Sequence, residues 1–232
     1  MIEAVFLDAG DTLLAADPPV ADVYRVAFAA HGVEADVEAV HRAVHATWRE
    51  VREARDRGEE RWGGSGGEAG FWRRFVAAVY ARVGGGEMPD PLLASLVAHF
   101  REEVHWALYP EVPSVLAALR AMGLKLAVVS NWDSSLPSLL ARLGIGDAFD
   151  DVIVSAVVGA SKPDRGIFAE ALRRAGVAPG AALHVGDSLV DDYHGARAAG
   201  LHALLVDRAG RVPEGFETIR SLSELPPRVL AR

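Results

Sequence analysis

Apolar positions along this chain follow two rhythms, and the change between them divides it. The chain opens on a short apolar run, Ile2-Glu3-Ala4-Val5-Phe6-Leu7, that ends at Asp8 with Gly10 close behind. A run of that length, bounded by Asp and Gly, predicts a buried strand. From about residue 16 the spacing turns helical. Val20, Val23, Tyr24, Ala27 and Phe28 recur at intervals of three and four, with Asp17 as the expected N-cap, Pro18 and Pro19 in the first turn and Gly32 as the stop. Val37, Val40, Val44, Trp48 and Val51 mark a second helix after Asp36. Phe71, Trp72, Phe75, Val76, Val79 and Tyr80 mark a third, broken at Gly84-Gly85-Gly86. Leu92, Leu93, Leu96, Val97, Phe100 and Val104 mark a fourth, from about Pro91 to Trp106. Gly58 to Gly70 is glycine-rich and charged and reads as a flexible loop. Residues 16–107 are therefore expected to form an all-helical insert whose aromatic stripes are its own core.

After residue 107 strands and helices alternate. Helices are predicted over Pro110–Gly123, Ser134–Leu143, Asp164–Ala175 and Asp191–Ala199, and strands over Leu124–Val129, Val152–Val154, Ala182–Val185 and Leu201–Val206. Alternation of this kind implies right-handed crossovers and a parallel sheet. The expected fold is α/β: a Rossmann-like parallel sheet with helices on both faces, built from residues 1–15 and 108–232, with the helical domain 16–107 inserted. Three of the strands end in polar residues, at Asp8, at Ser130-Asn131 and at Gly186-Asp187. In open α/β sheets ligands bind outside the carboxyl ends of the strands, so these endings would converge on one site.

Composition narrows the chemistry. The 232 residues contain no cysteine, which removes disulfides and thiolates. A net charge of −8 argues against a nucleic-acid surface while leaving room for a basic pocket that takes a small anion. No apolar run approaches bilayer length and the N-terminus lacks a signal pattern, so the expectation is a soluble cytoplasmic protein without a membrane partner. Of 24 basic residues only Lys125 and Lys162 are lysines, which singles out Lys162 as a place where a compact charge is wanted rather than a guanidinium fork. An aspartate at a strand end is often only a turn or cap residue. What sets Asp8 apart is the set of later strand endings that follow it in order.

Asp8-Ala9-Gly10-Asp11-Thr12-Leu13, Ser130-Asn131, Ser161-Lys162-Pro163-Asp164, and Gly186-Asp187-Ser188 followed by Asp191-Asp192 resemble the four ordered motifs of the haloacid dehalogenase-like hydrolases. The resemblance covers the whole core, and the insert sits where that family carries its cap. It implies an aspartate nucleophile, Asp8, that takes up a phosphoryl group as an acyl-phosphate. It implies Mg²⁺ held by Asp8, the carbonyl of Gly10 and Asp187, with Asp192 behind them or acting through water; Asp191 competes for that place. It implies that Lys162 offsets phosphate charge and orients Asp8, that Ser130 and the Asn131 N–H hold phosphate oxygens, and that Thr12 touches Asp8 or the phosphate, although Thr12 could equally be a cap. His184, within a strand, reads as packed; His105, His194 and Trp106 receive no role, and Trp132 and Asp133, which follow Ser130-Asn131, could line the pocket mouth but are given no part in the chemistry.

One position departs from the family's phosphatases, which carry a second Asp two residues after the nucleophile. Here that position is Gly10. If the backbone stays extended, Asp11 points to the other face and cannot replace it. The implied function is a slow Mg²⁺-dependent phosphatase of a small phosphorylated metabolite, best with good leaving groups. Two alternatives stay open: a metal-independent 2-haloacid dehalogenase, and a binding protein that kept the fold without turnover.

Overall fold

A computed structural model of the protein describes residues 1–57, 67–102 and 106–231. The glycine-rich stretch up to residue 66, Val104 and His105 lie outside the described residues. The chain divides into two compact units, Met1–Ala15 with Leu108–Arg232, and Ala16–Ala107. In chain order, β1 (Ala4–Leu7) is followed by β2 (Leu14–Ala16), which leads into the helices α1 (Val20–Ala29), α2 (Val37–Asp56), α3 (Gly67–Arg82) and α4 (Asp90–Glu102). The chain returns through β3 (Trp106–Leu108), which pairs with β2. Then come α5 (Val112–Ala121), β4 (Lys125–Ser130), α6 (Leu136–Arg142), β5 (Asp151–Val154), α7 (Ser155–Val158) and α8 (Arg165–Ala175). β6 (Ala182–Gly186) leads to a π-helical turn, Leu189–His194, that runs into α9 (Gly195–Ala198); β7 (His202–Val206), β8 (Thr218–Ile219) and α10 (Leu225–Leu230) complete the chain.

The main sheet has the order β5-β4-β1-β6-β7-β8, with every pair parallel. β1 lies between β4 and β6, with Leu7 opposite both Val128 and Val185. The strand order therefore reverses around β1, and its carboxyl end is the crevice where such sheets take ligands. Ala4 and Phe6 pack with Ala127, Val129, Ile153 and Ala203 against Ile167, Phe168, Ala171 and Leu172 of α8. Strand side chains alternate, so Val5 and Leu7 face the other way; both are fully buried, and the sheet is covered on both faces. That double burial is why these strands read as unbroken apolar runs. α8 starts where Asp164 accepts from the Gly166 N–H at 2.6 Å and stops at Gly176 in the left-handed region, φ 63°.

The insert has its own core. Phe28 is fully buried and meets Tyr24 and Tyr80 edge-on at 5.5 and 5.1 Å, while Trp48 packs on Phe75 at 4.5 Å.

Several local expectations change. The sheet has six strands rather than five, because β8 is two residues long and too short to carry a period. Trp106 begins a strand instead of ending a helix. α3 begins at Gly67 rather than after Gly70: burial of Phe71, Phe75 and Val79 outweighs the ~0.5–1 kcal/mol that each helical glycine costs. The N-cap of α1 is Pro19 and not Asp17, with no side-chain cap. No helix among the described residues is long and apolar enough to cross a membrane.

Candidate active site

The parallel register brings three strand ends together. Asp8 follows Leu7 and extends the ladder by one rung, its N–H donating to the Val185 carbonyl at 2.9 Å. Ser130 closes β4, and Asp187 follows Gly186 at the end of β6. Asp8, Ser130, Lys162 and Asp192 are at most 8% exposed, and Thr12 is fully buried. One oxygen each of Asp8, Asp187 and Asp192 lie within 4.8 Å of one another.

Lys162 sits between two of these acids. Its Nζ donates to Asp8 Oδ1 at 2.6 Å and to Asp192 Oδ1 at 2.5 Å. The loop that carries it is held by Asn131, whose side chain donates to the Lys162 carbonyl at 2.9 Å and accepts from the Lys162 N–H at 2.7 Å. Asp192 Oδ1 also faces His184 Nε2 at 2.8 Å, and its Oδ2 accepts from the Ser188 N–H at 2.9 Å. An ionised carboxylate only accepts, so Nε2 is the protonated nitrogen of His184. Asp192 is thus supplied with three donors. It is delivered by the π-helical turn, in which the N–H groups of Asp192 and Tyr193 both reach the Ser188 carbonyl. Any Cβ at position 186 would overlap the Asp192 carboxylate, so Gly186 is what lets that acid approach β6.

The electrostatics follow from this uneven supply. Burial and the Asp192 charge push the Asp8 carboxyl up, against the pull of Lys162 and hydrogen bonding from Ser130. Burial acts on Asp192 in the same direction, but Lys162 and His184 hold it well below the usual carboxylate range. Burial alone would lower Lys162; the charges of Asp192 and Asp8 raise it instead, and it stays an ammonium. Asp187 is pushed up to about 8, by burial first and then by the charges of Asp8, Asp192 and Asp11.

The segment after Asp8 does not stay extended. Asp11 has φ 54°, in the left-handed region, and its N–H donates to the Leu14 carbonyl at 2.7 Å. The face-alternation expected for Asp11 therefore does not apply, and its charge reaches Asp187. Arg208 holds this turn: Nη2 donates to the Thr12 carbonyl at 2.8 Å and Nε to the Asp11 carbonyl at 3.3 Å. The same guanidinium pairs with Glu111 at 2.7 Å and lies 3.4 Å over the Tyr109 ring.

Asp8, Gly10, Thr12, Ser130, Asn131, Lys162, Asp187 and Asp192, the residues singled out by sequence, thus lie on loops and strand ends of one sheet edge. The Thr12 hydroxyl has no hydrogen-bond partner despite full burial. Of the acidic pair, Asp192 is the buried member that reaches Lys162; Asp191 offers its N–H to Ser188 Oγ at 3.1 Å. His184 is packed against Phe168 as its strand position predicts, but it also bonds Asp192, which sequence reading missed. A polar residue inside an otherwise apolar strand was the available signal. Arg208 carries no signal in the sequence. His194 is exposed and its ring meets Tyr193 and Phe216 edge-on.

A family model described as haloacid dehalogenase-like hydrolase matches residues 2–200. The mouse (Mus musculus) haloacid dehalogenase-like hydrolase domain-containing protein 3 is 37% identical over 213 residues, covering 89% of this chain and 81% of that protein. A glyceraldehyde 3-phosphate phosphatase of Methanopyrus kandleri is 32% identical over 218 residues, covering 90% of this chain and 85% of that enzyme. Among solved structures, an L-2-haloacid dehalogenase of Xanthobacter autotrophicus matches with a TM-score of 0.78 over 99% of both chains; at 23% identity it bears on the fold alone.

Proposed function

Because the chain belongs to the haloacid dehalogenase-like hydrolase family, we propose that it is a divalent-metal-dependent phosphatase of a small phosphorylated metabolite, working through an aspartyl-phosphate on Asp8. The observation that carries this reading is the buried Lys162 between Asp8 and Asp192, with Asp187 alongside. An ammonium at 2.6 Å favours the ionised form of the Asp8 oxygen against its burial and aims it, as a nucleophile requires.

The donor set fits a hard cation. All three acids offer oxygen, the preference of Mg²⁺, and Asp187 is pushed up to about 8 by burial and then by negative neighbours, whose charge a cation would offset. Asp8, the Gly10 carbonyl and Asp187 would hold it. Asp192, with both oxygens already accepting hydrogen bonds, would act from behind. A bound ion would supply charge to offset the approach of a phosphate dianion to carboxylates.

The chain's own residues divide the rest of the work. Ser130 and the Asn131 N–H would receive phosphate oxygens at the end of β4. The Asp8 oxygen attacks phosphorus, the bond to the leaving oxygen breaks, and the leaving group departs with the electron pair. Water then attacks the phosphorus of the acyl-phosphate and restores Asp8. With Gly10 in place of an acid, no side chain at that position protonates the leaving group, which costs about 10²–10⁴ in rate for an alkoxide.

The test is a paired assay. Phosphate release from phenyl phosphate should depend on Mg²⁺, vanish with chelator and vanish in Asp8→Asn with the fold intact. Chloride release from 2-chloropropionate that ignores chelator would make the protein a dehalogenase instead.

A further inference from the structure

We propose that Trp132 is the wall of the leaving-group side of this site and that, paired with Gly10, it selects aryl phosphates. The inference rests on the phosphatase reading above and names the substrate class of that same site.

The geometry starts at position 10, two residues after Asp8, from which a family phosphatase reaches the leaving oxygen. A Cβ built on Gly10 would stand 3.5 Å from Cζ3 of the Trp132 indole. That is ordinary contact for one carbon. A side chain at position 10 would lie against the edge of that ring. Where the acid is missing, this chain therefore presents an aromatic edge beside position 10.

The backbone that carries the ring is pinned on both sides. The Trp132 N–H donates to Ser155 Oγ at 3.1 Å, and the Trp132 carbonyl accepts from Ser155 Oγ and from the Ala156 N–H, each at 3.2 Å. Ser155 is fully buried. One residue earlier, Asn131 is clamped to Lys162. One residue later, Asp133 Oδ1 accepts from the Ser135 N–H at 2.9 Å. A loop fixed at three successive residues anchors the indole beside Gly10, and partial exposure leaves part of it open.

Leaving-group chemistry and ring chemistry point to the same substrates. Without an acid at position 10, the departing oxygen must carry its own charge. A phenol, with a pKa near ~10, leaves far more readily as an anion than an alcohol does. The bond formed is Asp8 oxygen to phosphorus, the bond broken is phosphorus to aryl oxygen, and the phenolate takes its proton from water. A phenyl ring is also the group that an indole favours, in offset-stacked or edge-on contact. Acyl phosphates meet the first condition but not the second.

Phenyl phosphate and acetyl phosphate therefore separate the two effects, each assayed with Mg²⁺ on the whole protein. Trp132→Leu should lower the ratio of kcat/KM for phenyl over acetyl phosphate about tenfold, the value of a good ring–ring contact. Trp132→Phe should keep the ratio. An unchanged ratio in a folded Trp132→Leu overturns the inference. A second measurement does not depend on that protein folding: with the wild-type protein, phenol should inhibit acetyl phosphate hydrolysis competitively, and cyclohexanol about tenfold more weakly. Equal inhibition by the two overturns the inference as well. No phosphate from either ester with the wild-type protein would overturn the phosphatase reading itself, and this with it.

Discussion

Replacing Lys162 by methionine keeps an unbranched stem of similar length and removes only the charge. Two carboxylates lose their shared partner. Asp192 keeps His184 and the Ser188 N–H, so the acid left short is Asp8, whose oxygen lay 2.6 Å from the lost ammonium. Stripping one partner from a buried ion pair costs about 3–5 kcal/mol. Protonation sets a ceiling on that cost. An abandoned carboxylate can take a proton, and at pH 7 this costs about 4 kcal/mol for a group with an ordinary pKa near ~4. The ceiling falls by about 1.4 kcal/mol for each unit of acidification. Lys162→Met should therefore lose about 3–4 kcal/mol at pH 7 and recover about 2 kcal/mol of it at pH 5.5. Urea unfolding of both proteins in chelator, from pH 5.5 to 8, measures this directly. A loss under about 1 kcal/mol at pH 7 that does not change with pH would mean that the ammonium does not bridge the two acids in solution.

Asp187 has a folded pKa of about 8 against 3.8 for the free acid, so its contribution to stability is complete below about 4 and is lost as pH rises through 8. Thermal scans in chelator should show Tm falling from pH 6 to 9, and both Asp187→Asn and added Mg²⁺ should flatten the slope; a Tm that rises with pH over that range contradicts the assignment. Gly186→Ala places a methyl group into the Asp192 carboxylate and should cost about 1–3 kcal/mol in urea unfolding, with a wild-type value counting against the packing described. Arg208→Ala removes the donors to the Thr12 and Asp11 carbonyls and leaves Glu111 with Ser221; a loss of about 1.5–3 kcal/mol is expected, not restored by lysine, which lacks the fork.

What could be read from sequence follows from range. Each central strand is buried on both faces, so its own residues announce it, and each insert helix shows its stripe for the same reason. Motif order placed Asp8, Ser130, Lys162 and Asp187 at one sheet edge because parallel strands put all their carboxyl ends on one side. The short strands β2, β3 and β8 have two or three residues and no period to show. The conformation of Asp11 was unreadable for a different reason. Its carbonyl is held by Arg208, 197 residues away, and no local pattern reports a contact of that separation. Face alternation fails there because a side chain from beyond β7 stabilises a turn. Trp132 and Gly10 are likewise neighbours only in the folded chain.

The same distinction explains why three acids in one cluster do not have one role. Asp192 is surrounded by donors from the loop of Lys162, the middle of β6 and the start of the π-helical turn; its charge is spent on holding those pieces together. Asp187 is pushed up to about 8 by burial and then by the acids around it. Once Asp187 ionises, Asp8, Asp187 and Asp192 bring three negatives and Lys162 one positive, a balance of −2. A phosphate dianion would meet net repulsion at such a site, and a single divalent cation beside Asp187 brings the balance to zero. A halide displaced from a monoanionic haloacid makes no such demand, so a dehalogenase would gain nothing from leaving Asp187 without a partner cation. The unbalanced acid, beside the lysine that balances the other two, is therefore what favours the metal-dependent phosphatase over the dehalogenase.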